Sequence, residues 1–283
     1  MGRGYLRALC IFHDDHEPSL VIYENSRRFE CFGCGRSGTW EYLKKSMARS
    51  SYKTLASKHA ISRQQRNIGS HRTVHFVRGP AFPEADEMER YCREAYRALR
   101  EVAPARTYLE HRGLGEGIEL GQLGWDNGWI VVPVRDRGGG IQGAVARSTP
   151  SLEHRGASRF TLPRGQGPML YVPSWELWDQ EVVFITFGIF DALSLAVAGF
   201  GSASPSSGKN SLNPNWLDEA RKPIWIIPDR GEEETAWSYM KHLDWRGKVL
   251  MLDYQDAEKD VNDVLVGRGT AGLRELVWKH TKE

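Results

Sequence analysis

A chain of 283 residues with 40% hydrophobic and 26% charged residues can bury a real core in one or two domains, which excludes a disordered tail or a fibrous repeat. Four cysteines are too few for a disulfide scaffold. No apolar run reaches membrane-spanning length, and the opening Met1-Gly2-Arg3-Gly4-Tyr5-Leu6-Arg7 lacks the apolar stretch of a signal peptide, so cytoplasm is the expected location and no membrane is an expected partner. The net charge of +2 conceals a division: residues 1–80 carry 14 Lys and Arg against 6 Asp and Glu, and the remainder 24 against 30.

At the amino terminus, Cys10-Ile11-Phe12-His13 and Cys31-Phe32-Gly33-Cys34 each set two ligand-type side chains across a two-residue gap, with 17 residues between the pairs. Three thiolates and an imidazole complete a tetrahedron suited to Zn²⁺. With every position taken by protein, such an ion holds a small fold together and leaves no place for substrate. The bland alternative is a chance grouping of thiols and a surface histidine in a reducing compartment. Cys92 is left over and is expected to pack in a helix. The surrounding residues, Phe12-His13-Asp14-Asp15-His16-Glu17-Pro18-Ser19-Leu20 and Phe29-Glu30-Cys31-Phe32-Gly33-Cys34-Gly35-Arg36-Ser37-Gly38, resemble the zinc ribbon of bacterial and phage DNA primases. In that family the ribbon helps select the template site where a primer begins, so the resemblance implies single-stranded DNA as a partner.

From Tyr42 to Pro83 there is no acidic residue, while Lys44, Lys45, Arg49, Lys53, Lys58, Arg63, Arg66, Arg72 and Arg78 are interleaved with His59, His71 and His75. Such a stretch suits the tracking of phosphates; its serine content equally suits a solvated tether. Residues 1–46 are therefore assigned to the ribbon and 47–83 to a basic linker.

A helix is expected from Glu84, where acidic residues fill the first turns and Met88, Tyr91, Cys92, Tyr96 and Leu99 recur at helical spacing. Pro104 opens a second helix that runs to Arg112 and stops at Gly113. Its residues Ala105 to Leu114 resemble the primases' Tyr-Leu…Arg-Gly segment. Trp129–Val134 and Ile141–Arg147 read as a β-hairpin around the glycine-rich turn Arg135 to Gly140. A similar hairpin precedes a basic segment in primases, echoed here by Ser158-Arg159-Phe160, and the resemblance implies that Arg147 and Arg159 contact template or primer. The alternative is an ordinary charge on a strand edge.

Beyond this the pattern alternates. Val182–Thr186, Pro223–Ile227 and Lys248–Leu252 are expected as strands; Phe190–Ala198, Glu232–Leu243 and Val261–Val266 are expected as helices, which makes an α/β unit. Phe187-Gly188-Ile189-Phe190-Asp191, Pro228-Asp229-Arg230-Gly231-Glu232 and Lys259-Asp260-Val261-Asn262-Asp263 together resemble the TOPRIM fold of primases and topoisomerases. The expected fold class is thus α/β: an N-terminal zinc ribbon followed by a primase-type RNA polymerase domain containing a TOPRIM sheet, with its helical and hairpin part at 84–175 and the TOPRIM part at 176–283.

The resemblance implies a DNA primase that makes short primers on single-stranded DNA from nucleoside triphosphates. It places metal-binding acids at Asp191 and Asp229 and Lys259 near nucleotide phosphate; Glu232, directly after the turn, is expected to aim at the same Mg²⁺ or Mn²⁺, and Lys209 to contact template or triphosphate. Asp260 and Asp263 serve equally well as a helix cap or as metal support. The sequence departs from the family where Phe187 stands for a glutamate and where Gly231 stands for the second aspartate of an Asp-x-Asp. Either Glu232, Glu233, Asp253 or Asp256 has taken over the lost carboxylates, or the chain is a catalytically silent accessory; a TOPRIM nuclease is a third reading. Ser206-Ser207-Gly208-Lys209 lacks the spacing of a phosphate-binding P-loop, so any helicase must be a separate chain.

Overall fold

The computed structural model describes residues 5–8, 10–12, 20–23, 27–31, 37–49, 79–153, 157–218, 220 and 222–281. His13, Cys34 and most of the proposed basic linker lie outside the described residues. The chain divides into two compact units, Met1–Thr73 and Val74–Glu283.

The first unit is a four-stranded antiparallel meander of β1 (Tyr5–Ala8), β2 (Leu20–Tyr23), β3 (Arg28–Cys31) and β4 (Ser37–Thr39), followed by helix α1 (Trp40–Arg49). Leu20 pairs with Cys31 and Phe29 with Gly38, which sends Phe29 and Cys31 to one face. That face meets Leu43 of α1 and buries Cys10, Leu20, Phe29 and Cys31. The rings of Phe12, Phe29 and Tyr42 lie nearly parallel, with centroids 5.5 to 6.2 Å apart.

The second unit begins with a short 3₁₀ turn at Ala85–Glu87 and α2 (Met88–Glu101). Met88, Cys92, Ala95 and Leu99 form its buried stripe, because residues three and four apart share a helix face. Helix α3 (Ala103–His111) follows, and Gly113 beyond it adopts φ +69°, a left-handed turn open to glycine. A Cβ at Gly113 would lie 2.9 Å from Leu265, so the missing side chain also lets the turn approach the last helix. After α4 (Gly117–Leu120) come β5 (Gly124–Asp126), β6 (Trp129–Arg135) and β7 (Ile141–Ser148), then α5 (Pro150–Glu153) and β8 (Phe160–Thr161). These strands form an antiparallel sheet in sequence order. The expected hairpin is present as β6 and β7.

The second sheet has the order β13-β12-β10-β11-β9. Strands β10 (Val183–Ile185), β11 (Ser202–Pro205), β12 (Ile224–Ile226) and β13 (Gly247–Val249) are parallel, and β9 (Leu170–Tyr171) joins the edge antiparallel. Helix α6 (Trp175–Trp178) precedes β10, α7 (Ile189–Val197) links β10 to β11, and α8 (Glu233–Leu243) links β12 to β13. The sheet therefore takes one strand from before residue 176.

Two elements differ from the sequence reading. Strand β11 was not expected, since Ser-Ala-Ser-Pro has no apolar alternation, yet all four residues are buried between β10 and β9. The closing helix is also longer than Val261–Val266: α9 runs Val261–Thr281, interrupted at Gly269 with φ 69° and ψ 178°. Leu273, Leu276 and Val277 carry the apolar stripe past that break into the core.

One cluster of buried side chains runs from Leu99, Leu109 and Leu114 through Ile130, Val132 and Val145 to Leu193, Leu195, Val264 and Val277. Burying each such side chain contributes about 1.5–3 kcal/mol. The hairpin segment and the parallel sheet thus share a core. Helix α7 is buried all round, so its Asp191 and Ser194 are polar groups in an otherwise apolar setting. Among the described residues no helix is long and apolar enough to cross a membrane.

Candidate metal centre

Asp191, Asp229 and Asp260 come together at the carboxyl ends of the parallel strands, where open α/β sheets form their crevices. Their nearest carboxylate oxygens all lie within 4.8 Å of one another. Asp191 sits in the first turn of α7, after the Thr186-Phe187-Gly188 turn that leaves β10. Asp229 follows β12 by way of Ile227 and Pro228. Asp260 immediately precedes α9 and caps it: its Oδ1 accepts the Asp263 amide at 2.8 Å, while the Asp263 carboxylate accepts the Lys259 amide at 3.1 Å. Capping and membership of the acid cluster are therefore both properties of Asp260.

Burial and mutual repulsion act on these acids together. Asp191 is pushed well above the ordinary aspartate range by burial, then by Asp260 and Asp229. Asp229 is pushed up to about 7 by burial and by Glu232 and Asp260, against the pull of Lys259 and Lys209. Asp260 is raised by burial, with its cap hydrogen bond opposing. Three hard oxygen donors whose charges repel form a donor set that fits Mg²⁺ or Mn²⁺, because a divalent ion would supply the missing positive charge.

The other residues named from the sequence divide. Glu232 is next to Asp229 in its electrostatic effect but is not one of the three clustered carboxylates; its Oε1 is 2.9 Å from Lys209 Nζ. Of the expected magnesium ligands Asp191, Asp229 and Glu232, the first two lie in the carboxylate cluster, which Asp260 completes, while Glu232 is paired with Lys209. Lys259 is exposed and 3.8 Å from Asp260. Arg147 departs from an exposed template contact: it is 9% exposed, pairs with Glu153, donates to the Ser148 carbonyl at 2.8 Å and lies over the Phe160 ring. Arg159 remains exposed.

Phe187 is buried, with its ring 6.0 Å from that of Tyr239 and its side chain in the core beneath α8. Asp253 is tied to Lys279 at 2.8 Å and Glu233 to the Gly231 amide at 2.9 Å, so neither replaces the missing glutamate at the cluster. Three neighbours escaped the sequence reading: Arg112 and Tyr254 come from outside the acidic motifs, and Asn262, though inside one, reaches Asp191 across 71 residues of chain. Arg112 lowers both Asp191 and Asp260, Asn262 binds Asp191, and the buried hydroxyl of Tyr254 donates to the Pro228 carbonyl at 3.1 Å.

In the first unit, Cys10 and Cys31 are both buried, and the Cys10 sulfur accepts the Phe12 amide at 3.4 Å. An amide aimed at sulfur favours thiolate, the form that binds zinc.

Residues 1–74 match the DnaG zinc-ribbon family, described as the CHC2 zinc finger. The DNA primase of Mycolicibacterium smegmatis is 29% identical over 147 residues, covering 44% of this chain and 21% of that protein. The fold is similar to that of the zinc-binding and RNA polymerase domains of Aquifex aeolicus primase, with a TM-score of 0.54, 17% identity, and coverage of 97% of this chain and 78% of that one. Residues 1–74 thus match a primase zinc ribbon, and the chain as a whole shares the fold of primase zinc-binding and RNA polymerase domains. It is similar in the same way to the catalytic domain of a DnaG primase bound to single-stranded DNA, with a TM-score of 0.51, 17% identity, and coverage of 69% and 77%. Its match spans about a fifth of the curated relative's length. The CHC2 match supports a structural zinc in the first unit.

Proposed function

We propose that this chain is a DNA primase that binds single-stranded DNA and joins nucleoside triphosphates into short primers. The observation that carries the reading is the convergence of Asp191, Asp229 and Asp260 within 4.8 Å of one another. In primer synthesis a 3′-hydroxyl attacks the α-phosphorus of the incoming nucleotide; the new P–O bond forms as the bond to pyrophosphate breaks. A divalent cation at the cluster supplies charge neutralisation for the attacking and leaving oxygens. Asp191, Asp229 and Asp260 hold it, and Lys209 and Lys259 lie close enough to Asp229 to face the triphosphate of a bound nucleotide. Glu232, paired with Lys209, would be the carboxylate available to take the proton leaving the 3′-hydroxyl. Arg159 is the exposed member of the expected template-binding pair, and Arg147 supports the strand beneath it. Cys10, His13, Cys31 and Cys34 hold zinc in the ribbon. The relative bound to single-stranded DNA supports this choice of partner. A separate replicative helicase is a further partner in this reading.

Phe187 favours a second reading, a DNA-binding accessory without catalysis, because its buried ring removes one family carboxylate outright. A TOPRIM nuclease would use the same acids and has less need of a ribbon. Primer synthesis on mixed single-stranded templates, with labelled NTPs or dNTPs and Mg²⁺ or Mn²⁺, separates the three. Metal-dependent products that disappear in Asp229→Ala are expected. Tight DNA binding without products favours the accessory, and template shortening favours the nuclease.

A further inference from the structure

Asn262 is fully buried and occupies the second position of α9, where the backbone N–H has no partner within the helix. That N–H donates to Asp191 Oδ1 at 2.9 Å, across 71 residues of sequence. The side chain is fastened as well. Its Nδ2 donates to the Arg112 carbonyl and to Ser194 Oγ, both at 2.9 Å. Ser194 Oγ gives its own proton to the Phe190 carbonyl at 2.7 Å, so it only accepts from Asn262. The Arg112 carbonyl also only accepts. The amide orientation is therefore forced, with nitrogen toward both groups.

Asn262 Oδ1 is buried with no hydrogen-bond partner. An unpaired buried oxygen costs about 1–3 kcal/mol, which an apolar residue of the same size would avoid. Its donors, and not packing, account for an asparagine here. On the other side of Asp191, a Cβ on Gly188 would lie 2.1 Å from Oδ2, so the bare glycine leaves that oxygen its position. Oδ1 is occupied by the Asn262 amide, and Oδ2 lies close against Gly188.

We infer that Asn262 is a positioning residue for the candidate metal centre, clamping Asp191 through Oδ1 so that its carboxylate keeps its direction toward Asp229 and Asp260. The clamp joins the end of α3, the buried helix α7 and the start of α9, and it sets the carboxylate's direction without touching the cation. This inference rests on the reading of the three aspartates as a metal centre.

The test is Mn²⁺ binding to the whole chain, loaded with zinc, followed by electron paramagnetic resonance without DNA or nucleotide. Wild type, Asp191→Asn, Asn262→Ala and Ser194→Ala are compared, with thermal melting alongside. Asn262→Ala is expected to weaken Mn²⁺ about 10-fold or more, as removal of an orienting partner does. Ser194→Ala keeps the backbone contact and one anchor, so it is expected to weaken Mn²⁺ about 3-fold, about a third of an order-of-magnitude second-shell loss, with a small change in melting; it carries the test if Asn262→Ala does not fold. Where wild type binds Mn²⁺ in an Asp191-dependent way and the folded variants match it while melting earlier, Asn262 is only structural and the inference falls. Where wild type shows no Asp191-dependent Mn²⁺, the metal-centre reading falls and takes the clamp with it.

Discussion

Phe187 occupies the turn where the family resemblance leads one to expect a glutamate, and its ring is packed in the core against Tyr239. Phe187→Glu is therefore expected to destabilise the protein by about 3 kcal/mol or more without raising primer synthesis, because the new charge has no partner there; thermal melting and the primer assay check both halves. Gly188→Ala is the complementary case. The added Cβ collides with the end of the Asp191 side chain and not with backbone, so Mn²⁺ affinity and primer yield are expected to fall sharply while the melting temperature changes little. The acids also set a pH dependence. Asp229 is raised from the ordinary aspartate range to about 7, so between those limits the folded state holds more protons than the unfolded one. Without divalent ions, stability is expected to fall as pH rises from about 4 through about 7, and added Mg²⁺ is expected to restore it at the upper end. Melting curves across that range, with and without Mg²⁺, read the effect directly. Asp191 and Asp229 were legible from their motifs. Asp260 was legible as a cap or as metal support alike, but its approach to the other two depends on where α9 begins in space, which local pattern does not encode. Arg147 carried the right motif, yet Glu153 lies within reach, and an ion pair with burial won over exposure.

Strands with strong periodicity were legible almost to the residue, as in the β6–β7 hairpin, while the helix expected from Glu84 begins as α2 at Met88, after a 3₁₀ turn. Strand β11 was not, since its burial comes from lying between β10 and β9 and leaves no apolar signature in Ser202-Ala203-Ser204-Pro205. The second half of α9 was missed because Gly267 and Gly269 interrupt the pattern, while Leu273, Leu276 and Val277 resume it beyond the break. What holds α9 at the correct height is a buried pair. Glu258, with a side chain 7% exposed, accepts Arg268 Nε at 2.7 Å and the Gln255 amide at 2.8 Å. Arg268 also holds the Asp253 carbonyl at 2.9 Å. Arg268→Met leaves the Glu258 charge uncompensated and is expected to cost about 3 kcal/mol, measured by denaturant unfolding. The Arg268 guanidinium holds the Glu258 carboxyl below the usual glutamate range, so this contribution is present above that range and is lost as pH falls.

At the scale of the molecule, two units with separate cores imply separate responses to metal removal. A chelator that strips zinc is expected to abolish an early calorimetric transition from residues 1–73 and leave the main transition of 74–283 in place. A single transition that shifts as a whole would contradict this. The uneven charge has its own signature: DNA binding carried by the basic amino-terminal portion is expected to weaken linearly in log–log with salt, with a slope of about −0.7 per phosphate contacted on a single strand. Within 74–283 the acid cluster draws on residues far apart in the chain. The contact from Asn262 to Asp191 closes 71 residues of chain and the contact to Arg112 closes 150. A nascent chain on the ribosome therefore has no assembled acid centre until residues 260–262 have emerged and docked, and a chain stalled before that point would carry the amino-terminal unit with an incomplete acid cluster.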